Sequence, residues 1–384
     1  MKHIYYISSS TVPSRSANSI HTINMTKAFE EMGYSSTIFV CTQKDTQNIY
    51  QFMDICRNQT KIIAFNNIFI RGVEIFNAFN AVVRGILDNI KNNYPSLIIS
   101  RNLYGAFLFN YISTSKVIYE FHAPEKGIKS VLQRIILKSK KISSITISES
   151  LKRIIIEKYN LKFHHHIHVV HDAAREIKIK NDLSLIKDEK LKIFSKVYKK
   201  NNPRIGYFGH LYEGRGIQLI RKVALLRKDC NFFIFGGNEL DIEREHNKNS
   251  PENFYIMGHI PHDQVGNYMM SMDILLMPYE RKVGVGVKEI DTSKWMSPLK
   301  LFEYMSSSKP IISSDLPVLR EIIKNNINAL LVNPTNAYAW SNAINYLCNK
   351  RNLRNNISYN NYKKFLREFT WTKRVRTLLD IADA

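Results

Sequence analysis

Three groups of residues in this chain have the types and spacing to do chemistry. The first runs Ser297-Pro298-Leu299-Lys300-Leu301-Phe302-Glu303-Tyr304-Met305, followed by Lys309-Pro310-Ile311-Ile312. Ser and Pro suit the start of a helix. The free N–H groups there, with the positive end of the helix dipole, suit a phosphate. Lys300 adds a point charge at that end. Glu303 stands one turn deeper on the same face, where a carboxylate can accept two hydroxyl hydrogen bonds from a ribose. Ser297, Pro298, Leu299, Lys300 and Glu303 therefore predict a sugar-nucleotide site.

The second group is Gly206-Tyr207-Phe208-Gly209-His210-Leu211-Tyr212-Glu213-Gly214-Arg215-Gly216. An apolar strand ends at Gly209, and Gly214-Arg215-Gly216 opens a helix. Glycines let a backbone come close to a pyrophosphate, and a guanidinium can clamp it with two parallel bonds. In the third, Val117-Ile118-Tyr119-Glu120-Phe121-His122, a strand ends in a histidine. Arg101 and Asn102 end the strand before it and are candidates for an acceptor cleft. Ser16, Asn18 and Ser19 precede the first helix and can present N–H groups to a ligand. Each group also has a plain structural reading: a strand–turn–helix with a surface arginine, a solvated lysine, an exposed helix carboxylate, a structural histidine.

The elements that must position these residues alternate. Apolar runs at 4–7, 36–40, 97–100, 117–120, 144–147 and 167–170 read as buried strands, separated by helical stretches such as 19–32. A second series begins at Arg204, with strands at 205–208, 231–235, 254–257, 274–277, 310–313 and 329–332. Strand–helix alternation predicts parallel, doubly wound sheets, and ligands then bind beyond the carboxyl ends of the strands. The expected organisation is an α/β chain with a first domain over 1–180 and a basic linker over 181–203. A second domain covers 204–360, and a helical segment over 361–384 returns to the first domain.

At 384 residues and 44% hydrophobic composition the chain can bury two cores. No apolar run approaches the roughly 18–20 residues needed to span a bilayer. The apolar run at 4–7 is too short for a signal peptide and suits a first strand. Cys41, Cys56, Cys230 and Cys348 are scattered without ligand spacing, so a reduced, cytoplasmic protein is expected. The net charge is +22, and half of it falls between Lys116 and Lys200, which hold 20 Lys and Arg against 9 Asp and Glu. An anionic membrane surface, nucleic acid and a generally basic proteome are the competing accounts. No nucleic-acid motif accompanies the charge, so nucleic acid is not expected as a partner. The segment 127–141 is amphipathic, with Ile128, Val131, Leu132, Ile135 and Ile136 on one stripe. That stripe reads as core-facing, and its cations could touch anionic headgroups. His164, His165, His166 and His168 do not predict a metal site, because neighbours on a strand point to opposite faces.

The glycine loop through Gly216 and the Ser-Pro-Leu-Lys-Leu-Phe-Glu-Tyr-Met series resemble the retaining glycosyltransferases of family 4, within the large GT-B group. So does the continuation Lys-Pro-Ile-Ile, with Asp315-Leu316-Pro317-Val318-Leu319-Arg320-Glu321. The likeness is strongest from Arg204 to Leu331 and is to members of the bacterial surface-polysaccharide type. It implies two Rossmann-like domains facing across a cleft, a nucleoside diphosphate sugar of UDP or GDP type held by the second, and no cofactor or metal. It implies a glycan or lipid-linked acceptor, with the enzyme cytoplasmic or peripheral at the inner face of a membrane. By the same resemblance Glu303 holds the donor ribose, and Arg215 and Lys300 meet the phosphates. Gly258, His259 and Ile260 meet the base. His122 is the active-site histidine beside the donor sugar, and the leaving phosphate itself takes the acceptor proton. Two departures stand out: Trp295 occupies the place of the family's earlier glutamate, and His210 stands where many members have arginine. A nucleotide-sugar epimerase of the same fold and a non-enzymatic basic membrane- or nucleic-acid-binding protein remain the rival readings.

Overall fold

The computed structural model of the chain describes residues 3–14, 16–42, 46–66, 72–90, 95–162, 166–177, 202–246, 248–284 and 291–384. They form two compact units. One comprises Met1–Ala173 with Trp295–Ser297 and Thr370–Ala384, the other Ala174–Lys294 with Pro298–Phe369. The expected linker over 181–203 lies almost wholly outside the described residues.

The first unit is built on seven parallel strands. These are β1 (His3–Thr11), β2 (Ser35–Thr42), β3 (Thr60–Asn66), β4 (Leu97–Ser100), β5 (Lys116–Phe121), β6 (Ile142–Thr146) and β7 (Ile167–Val169), in the order β3-β2-β1-β4-β5-β6-β7. Ile4, Tyr5, Tyr6 and Ile7 are wholly buried because helices cover both faces of the sheet. The strand order reverses between β1 and β4, which makes their carboxyl ends the expected binding place. Helices α1 (Ala17–Glu31), α2 (Thr46–Met53), α3 (Val73–Ile90), α4 (Leu103–Ile112), α5 (Gly127–Lys138) and α6 (Glu149–Tyr159) connect the strands. Side chains fix where they start. Ser16 Oγ accepts from Ser19 N at 3.2 Å, and Asn102 Oδ1 accepts from Gly105 N at 3.0 Å. The core-facing side of α5 is Gln133, Ile136 and Leu137. Ile128 and Val131 face solvent, so the stripe expected to face the core is split between core and surface.

The second unit repeats the plan with β8 (Arg204–Phe208), β9 (Asn231–Phe235), β10 (Phe254–Gly258), β11 (Ile274–Met277), β12 (Ile311–Ser314) and β13 (Leu330–Val332). Their order is β10-β9-β8-β11-β12-β13, all parallel. Here the order reverses between β8 and β11. The helices are α7 (Ile217–Leu226), α8 (Glu239–His246), α9 (His262–Met270), α10 (Leu299–Ser306), α11 (Pro317–Arg320), α12 (Ala337–Asn349) and α13 (Arg351–Glu368). The last helix, α14 (Trp371–Asp383), packs on α1 of the first unit. The returning segment was expected from 361, but α13 stays in the second unit as one helix. Its Ile357, Asn361 and Phe365 are buried there, and Phe369 packs on Phe302 with ring centroids 4.9 Å apart. Thr370 then caps a new helix, accepting from Lys373 N at 3.3 Å.

The strand ends of the second unit pack backbone to backbone. Gly209 N donates to Phe235 O at 2.9 Å and Gly236 N to Gly258 O at 2.7 Å. A Cβ on Gly236, whose φ is +123°, would stand 2.0 Å from Gly209 O. Gly236→Ala should therefore destabilise the protein by about 2–5 kcal/mol through backbone strain and displacement. Urea unfolding measures this, and a loss under about 1 kcal/mol would mean that the strand ends do not need this close approach.

Candidate active site

The residues expected to meet a diphosphate come together at the reversal between β8 and β11. Gly209 directly follows β8, and Gly216 opens α7 in the left-handed region at φ +77°. Cβ atoms at Gly214 and Gly216 would stand 2.1 Å from Lys282 O and 1.8 Å from Pro278 O, so this loop lies against the segment that leaves β11. Arg215 reaches over the same segment, with Nη2 donating to Gly284 O at 3.0 Å and Cζ 5.1 Å from the centre of the Tyr279 ring.

Lys300 enters from the first turn of α10. Its side chain is only 9% exposed, and Nζ sits 3.9 Å over the Tyr207 ring and 5.3 Å from that of Tyr279. Room for it depends on Gly209, where a Cβ would stand 2.3 Å from Nζ. The ammonium finds no hydrogen-bond acceptor among the described residues. Burial first, then the neighbouring Arg215 charge, push its pKa well below the lysine value; Glu303 opposes them incompletely. Two aromatic faces attract the cation, but a buried ammonium without an acceptor is costly. His210 feels the same field: burial, then Arg215 and Lys300, lower its pKa. Its ring stacks on Tyr212 with centroids 4.7 Å apart.

Glu303 follows Lys300 by one turn and is half-buried. Gly258 ends β10 at φ +69°, followed by exposed His259 and buried Ile260. Pro298 is the residue before α10, and Leu299 its first residue. Ser297 groups instead with the first unit, where its Oγ accepts the Asp172 N–H at 3.0 Å. Trp295 also belongs there. Its carbonyl accepts from Ser148 Oγ at 2.8 Å, and its indole packs on the apolar core of that unit.

In the first unit the carboxyl ends of β1, β4 and β5 carry a second cluster. Glu120 and His122, two residues apart, share a side of the chain. His122 Nε2 lies 2.8 Å from Glu120 Oε1 and 2.9 Å from Arg101 Nε. Protonated, this nitrogen donates to Glu120; bare, it accepts from Arg101. Arg101 Nη2 also donates to Asn18 Oδ1 at 3.1 Å, so Asn18, Arg101 and His122 are brought together. Ser16, Ser19 and Asn102 serve at the starts of α1 and α4.

Sequence reasoning did not single out the rest of this cluster. Glu120 is fully buried, and its Oε2 meets Arg374 Nη2 of α14 at 2.7 Å. His21 Nε2 lies 3.4 Å from Glu120 Oε1 and 3.3 Å from Asp172 Oδ1, while its Nδ1 meets Tyr6 Oη at 3.1 Å. Burial pushes the Glu120 carboxyl up, but Arg374, His21 and His122 outweigh it and hold it well below the usual range. Burial, then the Arg101 charge, lower His21 to about 4, and the same two causes lower His122. His21, Glu120 and Asp172 place ligand-type atoms within 4.8 Å of one another. Two guanidiniums already neutralise the two carboxylates, however, so the charge here does not favour a metal ion. One signal for the cluster was available: a carboxylate inside the otherwise apolar run 117–121. Of the histidine run, His164 and His165 lie outside the described residues.

Comparison with known proteins bears on the fold and on the family that the chain resembles. Residues 188–364, which include Gly209, Arg215, Lys300 and Glu303, match the family model described as Glycosyl transferases group 1. A Methanocaldococcus jannaschii protein named an uncharacterized glycosyltransferase is 27% identical over 180 residues, 46% of this chain and 47% of that protein. The putative teichuronic acid biosynthesis glycosyltransferase TuaH of Bacillus subtilis is 27% identical over 115 residues, 29% of this chain and 27% of its own. The chain thus spans about half or less of the length of these two relatives. A glycosyltransferase from Rickettsia africae superposes with a TM-score of 0.72 at 18% identity, covering 100% of this chain and 98% of that one. HepE from Anabaena, crystallised with UDP, gives 0.68 at 13% identity and covers all of both chains. At such identities the likeness concerns the fold, which is GT-B: two parallel-sheet, Rossmann-like domains.

The lowered histidines have a consequence for stability. Unfolded, His21 and His122 regain a pKa near the ordinary 6.5, so between that value and their lower folded values the unfolded chain binds more protons. Stability is then lost as pH falls from 6.5 towards 4, the folded value of His21. In urea unfolding across that window, His21→Gln should show a shallower loss than the wild type. Identical slopes would mean that His21 is not held neutral by this cluster.

Proposed function

We propose that the protein is a retaining glycosyltransferase of family 4. It would move a hexosyl unit from a nucleoside diphosphate sugar, of UDP or GDP type, to a glycan or lipid-linked acceptor in cell-surface polysaccharide synthesis. The observation that carries this reading is the pair Arg215 and Lys300. Both are cationic side chains set at a topological switch point, with aromatic rings as near partners and, among the described residues, no carboxylate in an ion pair with either. A diphosphate supplies the missing charge, and Glu303, one turn further, is placed for ribose hydroxyls. HepE, a neighbour in fold, was crystallised with UDP and with UDP-glucose, and TuaH is named for teichuronic acid biosynthesis. Both names favour the same chemistry.

In the proposed reaction the bond from the sugar C1 to the diphosphate oxygen breaks while C1 bonds to the acceptor hydroxyl. Negative charge grows on the leaving diphosphate. Arg215, Lys300 and the N-termini of α7 and α10 stabilise it without reorganising. These protein cations take the part a divalent metal would otherwise play, so the reaction is proposed to need none. A phosphate oxygen of the leaving group takes the proton of the acceptor hydroxyl, and the anomeric configuration is retained. His122 serves as the active-site histidine, with Ser16, Asn18, Ser19, Arg101 and Asn102 on the acceptor side. Such work belongs in the cytoplasm, where nucleotide sugars are made.

A thermal-shift panel of UDP, GDP, ADP and their sugars tests the ligand class, since a ligand of the native state raises its melting temperature. One of these nucleotides should stabilise the protein, and its sugar should be turned over to a glycoside. Arg215→Ala and Glu303→Ala should each slow turnover by about 10²-fold or more. Near wild-type rates in both would refute the site. Free nucleoside diphosphate with no glycoside would indicate epimerase chemistry instead.

A further inference from the structure

The outer face of α3 is large, apolar and exposed along the whole helix. Ile75, Phe76, Phe79, Ile86, Leu87 and Ile90 are 48, 47, 61, 50, 47 and 74% exposed, and their spacing places them on one stripe. The opposite face is already seated, with Asn77, Ala78, Ala81, Val82 and Asp88 buried. Helix α3 therefore has an apolar face beyond what its own core uses. Helix α4 packs against both α3 and α5 and exposes Tyr111 and Ile112, while α5 exposes Ile128 and Val131. A soluble monomer rarely leaves so much apolar surface together. The surface beside it is basic. Lys126, Arg134, Lys138, Lys140 and Lys141 are exposed, and no acidic residue occurs from Lys126 to Lys141 in a chain of net charge +22.

We infer that this three-helix face docks on a bilayer that contains anionic lipid. Helix α3 enters the boundary between headgroups and acyl chains, and the cations of α5 meet the headgroups. The basic segment 127–141 drew attention to itself in the sequence, but the apolar weight lies in α3. A second copy of this chain fits less well, because pairing two such faces would bring their cations together. The docking inference stands on the surface alone and needs no transferase activity. Its consequence for catalysis rests on the transferase reading. Asn102 Nδ2 donates to Glu74 O in the first turn of α3 at 2.7 Å, so this face adjoins the rim that carries Arg101 and His122. Docking brings that rim to the plane in which a lipid-linked acceptor resides.

Co-sedimentation of the full chain with vesicles tests the inference, using phosphatidylcholine alone or with about 30% phosphatidylglycerol. The protein should bind only the anionic vesicles, and salt should weaken the binding. A Phe79→Glu/Ile86→Glu double variant should bind at least about tenfold more weakly. Both positions are exposed, so its circular dichroism should match the wild type; Phe79→Gln alone is the milder variant should it not. Donor turnover with a soluble acceptor should survive in these variants, which separates lost docking from lost catalysis. No binding to anionic vesicles, or binding untouched by the variants, overturns the inference. So does a concentration-dependent dimer in sedimentation equilibrium that Phe79→Glu dissolves, because a second copy would then own the face.

Discussion

The second unit is organised around a charge that it does not neutralise. Lys300 is buried against Tyr207 with no acceptor among the described residues, and Arg215 lies near it across Tyr279. Aromatic attraction offsets only part of the cost, since burial and the neighbouring cation both work against the charged ammonium. The backbone nevertheless makes room for it. Gly209 has no side chain to strike Nζ, Gly216 takes a left-handed turn into α7, and the strand ends approach through Gly236. A ligand that brings two negative charges would turn the cost into affinity, which is why the donor site is proposed at the reversal between β8 and β11.

The first unit treats charge in the opposite way. Glu120 is deeper than Lys300, but Arg374 holds one oxygen and His122 and His21 stand beside the other. Breaking such a buried pair leaves an uncompensated charge and typically costs about 3–5 kcal/mol. The cluster ties α14 to the strand that carries His122, so the last residues of the chain help hold the ring near Arg101. One unit thus pairs the buried charge around its histidine with opposite charges of its own. The other keeps open cations, and these two kinds of electrostatics suit a positioned side chain and an anion-binding loop respectively.

Much of this was legible in the sequence, because parallel strands buried on both faces are short apolar runs. Twelve of the thirteen strands among the described residues were expected close to where they lie. The exception, β3, is an edge strand whose Thr60, Lys61 and Asn66 dilute the apolar signal. Glycines, Arg215, Lys300 and Glu303 were readable because their spacing encodes a loop and one helical turn. His21, Asp172 and Arg374 were not, since they gather around Glu120 from two helices and a loop far apart in the chain. Trp295 looked like a gap in a carboxylate pattern. Its indole packs on the core of the first unit, a contact that no local spacing announces. Nor does periodicity tell which of two apolar faces meets the core, and α3 has both.

The most direct test of the central claim is calorimetry of nucleoside diphosphate binding at about pH 8, in two buffers of different ionisation enthalpy. Burial and Arg215 favour the neutral amine of Lys300 and a diphosphate favours its ammonium, so binding should draw protons towards it and the apparent enthalpy should depend on the buffer in wild type. Lys300→Met should bind more weakly and lose that dependence. Equal affinity in both proteins with no proton uptake in either would contradict the account, because the buried lysine would then have no part in holding the ligand.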